Sequence, residues 1–161
     1  ELLYFSLLRR DGGRRTLTVK NDRGAYTVEL KPERSDFQFS HEDGGLQFRF
    51  DYQLGAELVD ISCPFDPHDE DAVARMEVEI ECVVKNGLKA LAARSQSEFQ
   101  LDIAGLGSVI YRKEPAFFES VRERYSELYR NAAFSFDTRV TLRGTGVSGV
   151  TVLAGERGEV N

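Results

Sequence analysis

Few residues in this chain are equipped for chemistry. Only two histidines occur, His41 and His68, and the second opens the run His68-Asp69-Glu70-Asp71, whose carboxylates would suit a hard cation such as calcium or magnesium. Consecutive helical residues splay about 100° apart and cannot converge on one ion. The run therefore reads as the acidic start of a helix, where carboxylates complement the macrodipole. Glu77, Glu79 and Glu81 invite comparison with the paired carboxylates of a glycosidase. Yet Glu77 and Glu81 are one turn apart on what reads as a solvated face, and Glu81 stands four residues before Lys85, the spacing of an ordinary surface pair. Gly105-Leu106-Gly107 is half of a dinucleotide fingerprint in the wrong context, within a helical pattern and with no third glycine, so close helix packing is the expectation there. No GxSxG elbow, P-loop, HExxH or Cys/His nucleophile pair occurs. Neither an enzyme nor a cofactor is expected.

Arg9, Arg10, Arg14 and Arg15 form the one basic cluster. They read as the solvated tip of a hairpin or, more sharply, as a contact for anionic lipid headgroups or an acidic partner, worth about 1 kcal/mol per Arg near a charged surface. Cys63 and Cys82 lie in no CxxC pair and cannot frame a metal site. They read as two buried or half-buried thiols, with a disulfide as the alternative.

The elements that must position these residues are legible from periodicity. Leu3, Phe5 and Leu7 alternate, then Leu17 and Val19, then Tyr26, Val28 and Leu30, with Asp11-Gly12-Gly13 and Asn21-Asp22-Arg23-Gly24 as turns, which predicts successive antiparallel strands. Phe37 and Phe39 alternate with polar residues, His41 to Gly45 turn, and Leu46, Phe48, Phe50, Tyr52 and Leu54 keep a period of two. One face of this hairpin is aromatic and the other wet. Beyond Gly55 the phase slips through Leu58, Val59 and Ile61, as at a bulge or the end of pairing. Asp66 as cap and Pro67 as first helical residue then open a long amphipathic helix to about Gln96. Its apolar stripe runs through Val73, Met76, Ile80, Val83, Val84, Leu88 and Leu91, and Asn86-Gly87 marks a bend or a close packing contact.

A second helix is expected through Phe99, Ile103, Leu106 and Ile110, and a third from Pro115 through Phe118, Val121, Tyr125, Leu128 and Tyr129. Phe134, Phe136, Thr138, Val140 and Leu142 then share one parity of a closing strand, before a glycine-rich stretch over roughly 145–161 expected to be flexible. The reading is an α+β fold: a mainly antiparallel sheet with three helices, one long, layered on one face, in the order strands, three helices, closing strand. Residues 1–161 are expected to form a single domain. The alternative to an interaction role is a small-molecule or lipid pocket between the sheet and the long helix.

Composition agrees. The chain has 161 residues, 41% apolar and 30% charged, which excludes disordered, collagen-like and coiled-coil classes. Its net charge of −6 has the wrong sign for a nucleic-acid binder. No apolar run approaches a membrane span, and a chain opening at Glu1 without Met reads as a fragment whose true N-terminus and any targeting signal lie upstream or were removed.

The run Gln96-Ser97-Glu98-Phe99-Gln100-Leu101-Asp102-Ile103-Ala104-Gly105-Leu106-Gly107 resembles the "Q…sDifGfG" segment of the Ger(x)C family, the C subunits of nutrient germinant receptors in spore-forming bacteria. A long helix precedes it, as Met76-Glu77 through Leu91 does here. Tyr111-Arg112-Lys113-Glu114-Pro115 through Tyr129 is similar to the family's following helix, with Phe118 and Tyr125 in place of its tryptophans. Leu106 replaces the phenylalanine between the glycines, and Phe134 to Gly144 resembles the family's last strand. The resemblance implies the C-terminal domain of a larger lipoprotein, lipid-anchored upstream of this chain on the outer face of the inner spore membrane. It implies integral-membrane A and B subunits as partners, a part in nutrient-triggered germination and no catalysis. Asp102, Gly105, Gly107 and Pro115 are then expected to cap helices and allow close packing.

Overall fold

The computed structural model describes residues 2–145. The expected glycine-rich tail falls, but for Thr145, outside them. The chain runs α1 (Leu2–Arg9), β1 (Arg15–Asn21), β2 (Gly24–Ser40), β3 (Gln47–Ile61), α2 (Glu70–Arg94), α3 (Leu106–Lys113), α4 (Pro115–Val121), α5 (Tyr125–Arg130) and β4 (Ala133–Thr145). The sheet order is β1-β2-β3-β4, antiparallel for the first two pairs and parallel between β3 and β4. The α+β class, the long helix and the return of the chain to the sheet after the helices follow the sequence reading.

The period of two in β3 does what its chemistry demands. Phe48, Phe50, Tyr52, Leu54, Ala56 and Leu58 are all buried on one face, while Arg49, Gln53 and Glu57 are exposed on the other. The buried face meets the stripe of α2, where Met76, Ile80, Val84 and Leu88 are buried. Phe50, Ile80, Val84 and Leu88 are each 0% exposed, and Phe136 is 4% exposed beside them. The interlayer is thus filled by side chains, and a ligand pocket between sheet and long helix has no room there.

Several local readings are corrected. Leu2–Arg9 is a helix and not a strand: Leu3 and Leu7 satisfy a step of four as well as a period of two, and a short apolar run does not separate the two. The strands read at Tyr26–Leu30 and Phe37–Phe39 are one strand, β2, interrupted by a bulge between Pro32 and Arg34. The phase slip near the end of β3 is a bulge, because Thr27 and Val28 face Asp60 and Leu58 and leave Val59 over.

The long helix starts later than expected. Asp69, not Asp66, is its cap and accepts from Asp71 N and Ala72 N, while Asp66 Oδ1 accepts from His68 N one turn earlier. After Arg94 a π-turn spans Ser95–Phe99, so the second helix begins only at Leu106. The expected third helix is broken into α4 and α5 by a 3₁₀ turn at Arg122–Arg124. With α1, five α-helices occur among the described residues in place of three.

The glutamates of α2 have duties that a solvated face would not give them. Glu81 Oε1 accepts from Val140 N at 2.9 Å and Glu77 Oε1 from Leu142 N at 2.8 Å, so one face of the helix reaches over the outer edge of β4. On the other side, Glu79 accepts from Asn21 Nδ2 and from the Tyr26 hydroxyl. Burial, and then the Glu79 carboxylate, hold that hydroxyl far above its usual pKa. The triad is therefore neither a catalytic pair nor a surface ladder but the lateral attachment of α2 to both margins of the sheet.

Gly87 is a close packing contact. A Cβ there would lie 2.2 Å from Tyr4 Cζ, so α1 rests directly on the α2 backbone. Gly→Ala inside a helix ordinarily stabilises by about 1 kcal/mol. Here the sign is expected to invert: Gly87→Ala should lower stability in urea denaturation by about 1 kcal/mol, and Tyr4→Ala in the same chain should restore the ordinary gain.

Candidate functional site

The singled-out segment, residues 96–107, forms a polar junction where α2, α3, α5 and β4 meet. Ser95, 0% exposed, donates to Ala92 O and shares a 2.7 Å hydrogen bond with the Tyr129 hydroxyl. Gln96 Nε2 donates to both Tyr129 O and Ala132 O at 2.8 Å, satisfying the carbonyls where α5 gives way to β4. Asp102 Oδ2 accepts from Gly107 N at 2.7 Å and from the Tyr125 hydroxyl at 2.8 Å. It thus serves the open N-terminus of α3, whose own cap residue, Gly105, has no side chain to do so. Asp102 Oδ1 is buried without a partner.

The two glycines of the motif differ in role. Gly107 lies against the Tyr125 ring, where a Cβ would fall 2.9 Å from Cε1, so it permits the approach of α3 to α5. Gly105 has open space around it and φ of +69°, so its requirement is the left-handed backbone that starts α3, not the close packing read from the sequence. Pro115 occupies the first turn of α4, where its missing N–H costs nothing. The Oε2 of the preceding Glu114 lies in a 3.0 Å hydrogen bond with His41 Nε2, and the His41 ring stacks on Phe117 at 3.9 Å.

An aromatic ladder runs from the surface to the core: Tyr111 against Phe118, Phe118 against Tyr125, Tyr125 against Tyr129, and Tyr129 against Phe134 and Phe48. Burial pushes the Tyr129 hydroxyl up to about 12. Burial and the Asp102 charge push Tyr125 higher still. Both hydroxyls are therefore proton donors at neutral pH, which suits holding helices together and not general-base work. Phe118 and Tyr125, the aromatics expected in the third helix, are rungs of this ladder.

Other candidates are scattered. Arg9 pairs with Asp11, Arg14 with Glu29 and Glu57, and Arg15 donates to Ser6 Oγ and Arg14 O. Arg10 turns away from them and lies over Phe37. Cys63 and Cys82 are free thiols, half-buried and exposed. Among the described residues no three His, Cys, Asp or Glu side chains are grouped to hold a metal, and no helix is long and apolar enough to cross a membrane. A shallow depression of about 510 Å³ lies on the wet sheet face among Arg34, Asp36, Arg49, Asp51, Asp137 and Arg139. Its charges come in adjacent pairs, Arg34 with Asp36 and Arg49 with Asp51. A second, about 410 Å³, separates α3 from α4 beside Tyr111, Arg112, Phe118 and Arg122.

Periodicity could not reveal that Ser95, Gln96, Tyr125 and Tyr129 meet, because they are brought together across a π-turn and two loops. The one available signal was the polar character of Gln96 and Asp102 at the ends of apolar stretches.

A four-stranded sheet whose last strand pairs in parallel, with a polar junction fastening the helices that precede it, defines an α+β domain. The chain belongs to the spore germination B3/GerAC like, C-terminal family, whose model matches residues 1–146, in agreement with the resemblance to Ger(x)C proteins. The crystal structure of the GerBC protein has the same fold, with a TM-score of 0.76 at 16% identity over 87% of this chain. The chain spans 44% of the GerBC chain. No curated protein sequence matches it.

Proposed function

We propose that this domain is a non-catalytic part of a germinant-receptor C subunit and takes part in nutrient-triggered spore germination through protein contacts at the membrane. The observation that carries the reading is the family membership over residues 1–146. It is supported by a motif whose polar groups fasten helices to one another. The partners in this reading are the integral-membrane A and B subunits, and the protein is lipid-anchored on the outer face of the inner spore membrane.

The test is made in spores with the full-length subunit. Deleting this domain while the rest of the subunit is still detected by immunoblot should abolish germination on the nutrients to which its receptor answers. Spores that germinate at the normal rate on every nutrient would overturn the proposal.

A further inference from the structure

The outer edge of β2 is only partly covered. β1 pairs with Gly24–Leu30, so among the described residues no strand lies beside Lys31–Ser40 on that side. Ala25 O accepts from Ser62 N on the β3 side, and the alternation reverses after the extra residue Glu33, so Ser35, Phe37 and Phe39 direct their backbone groups away from β3. Phe37 O is met there by Lys113 Nζ at 3.4 Å. The same ammonium lies 5.7 Å from the Phe37 ring centroid, and Arg10 Cζ lies 5.1 Å from it.

Arg10 is unusual in three independent ways. Its φ is +58°, at the residue that ends α1, where Arg10 N donates to Leu7 O and Asp11 N to Ser6 O; glycine is the residue that such a turn prefers. Its Nε is buried with no acceptor. Unlike Arg9 and Arg14, it pairs with no carboxylate among the described residues, and neither does Lys113. Ser35, on the same face two residues from Phe37 and opposite Tyr52, also has a buried hydroxyl without a partner. Two cations without a carboxylate among the described residues approach one ring, and what they lack is a negatively charged acceptor.

We propose that this edge of β2 is an oxyanion site, at which a carboxylate or phosphate is held by the Arg10 guanidinium and the Lys113 ammonium that both approach Phe37. The inference does not rest on the germination reading. It also separates Arg10 from the four-arginine cluster, whose other members hold partners of their own.

The full chain, isotopically labelled, is titrated at matched ionic strength with inorganic phosphate, acetate and an end-blocked pentapeptide of alternating Gly and Glu, with chloride as control. Saturable shifts of the backbone amides of residues 35–39 are expected, absent in Arg10→Gly and about tenfold weaker in Lys113→Gln. Saturation by phosphate or acetate identifies a free anion; saturation by the peptide alone identifies a side chain of a partner chain. Arg10→Gly relieves the left-handed backbone, so its melting temperature without anion should not fall below that of the parent chain. Should it fall, Lys113→Gln carries the comparison. No saturable shift with any probe, or equal shifts in parent and variants, overturns the site.

Discussion

Asp102→Ala should lower stability by about 3 kcal/mol and the melting temperature by roughly 6–12 °C. One carboxylate oxygen satisfies both Gly107 N and the Tyr125 hydroxyl, and Tyr125 is mostly buried against Gly107. Removing that oxygen leaves two donors in a place that water enters poorly, and the first turn of α3 loses its only side-chain acceptor. Urea denaturation measures the loss. Asp102→Asn retains an acceptor for Gly107 N and should lose about half as much. In a double-mutant cycle with Tyr125→Phe, the cost of Asp102→Ala should shrink, because the orphaned hydroxyl is gone. A cost below about 1 kcal/mol with no coupling to Tyr125 would mean that Asp102 does not organise the junction.

Glu77→Ala combined with Glu81→Ala should cost about 2–3 kcal/mol and make the chain associate. Their carboxylates accept from Leu142 N and Val140 N, the outward-facing donors of an edge strand. Without them β4 presents free backbone groups to any neighbouring strand. Denaturation gives the first effect and sedimentation velocity the second. Glu77→Gln with Glu81→Gln keeps an acceptor oxygen at each position and should sediment as the parent chain does, which separates loss of the hydrogen bonds from loss of charge. A double-alanine variant that is monomeric and as stable as the parent would return these glutamates to the solvated role read from the sequence.

Legibility followed the range of the interactions. The period of two from Leu46 to Leu54 and the stripe from Met76 to Leu91 record burial against one layer, and both elements stand where those patterns place them. The eight residues 2–9 are too few to tell a step of four from a period of two. The breaks at Ser95–Phe99 and Arg122–Arg124 went unseen because aromatic and apolar residues continue through them at helical spacing, while Gln96 and Asp102 take hydrogen bonds from distant elements.

Local pattern was enough for the α+β class, the wet and apolar faces of the sheet, the long helix and the family, since each depends on neighbours a few residues apart in the chain, while near Val59 it left a bulge and the end of pairing open. The parallel pairing of β4 with β3, the seating of Tyr4 on Gly87, the closure of the β4 edge by Glu77 and Glu81, and the isolation of Arg10 at Phe37 depend on contacts between residues dozens of positions apart. A side chain's partner across such a distance is set by how layers pack, and packing depends on shape in three dimensions, which periodicity along one dimension does not carry.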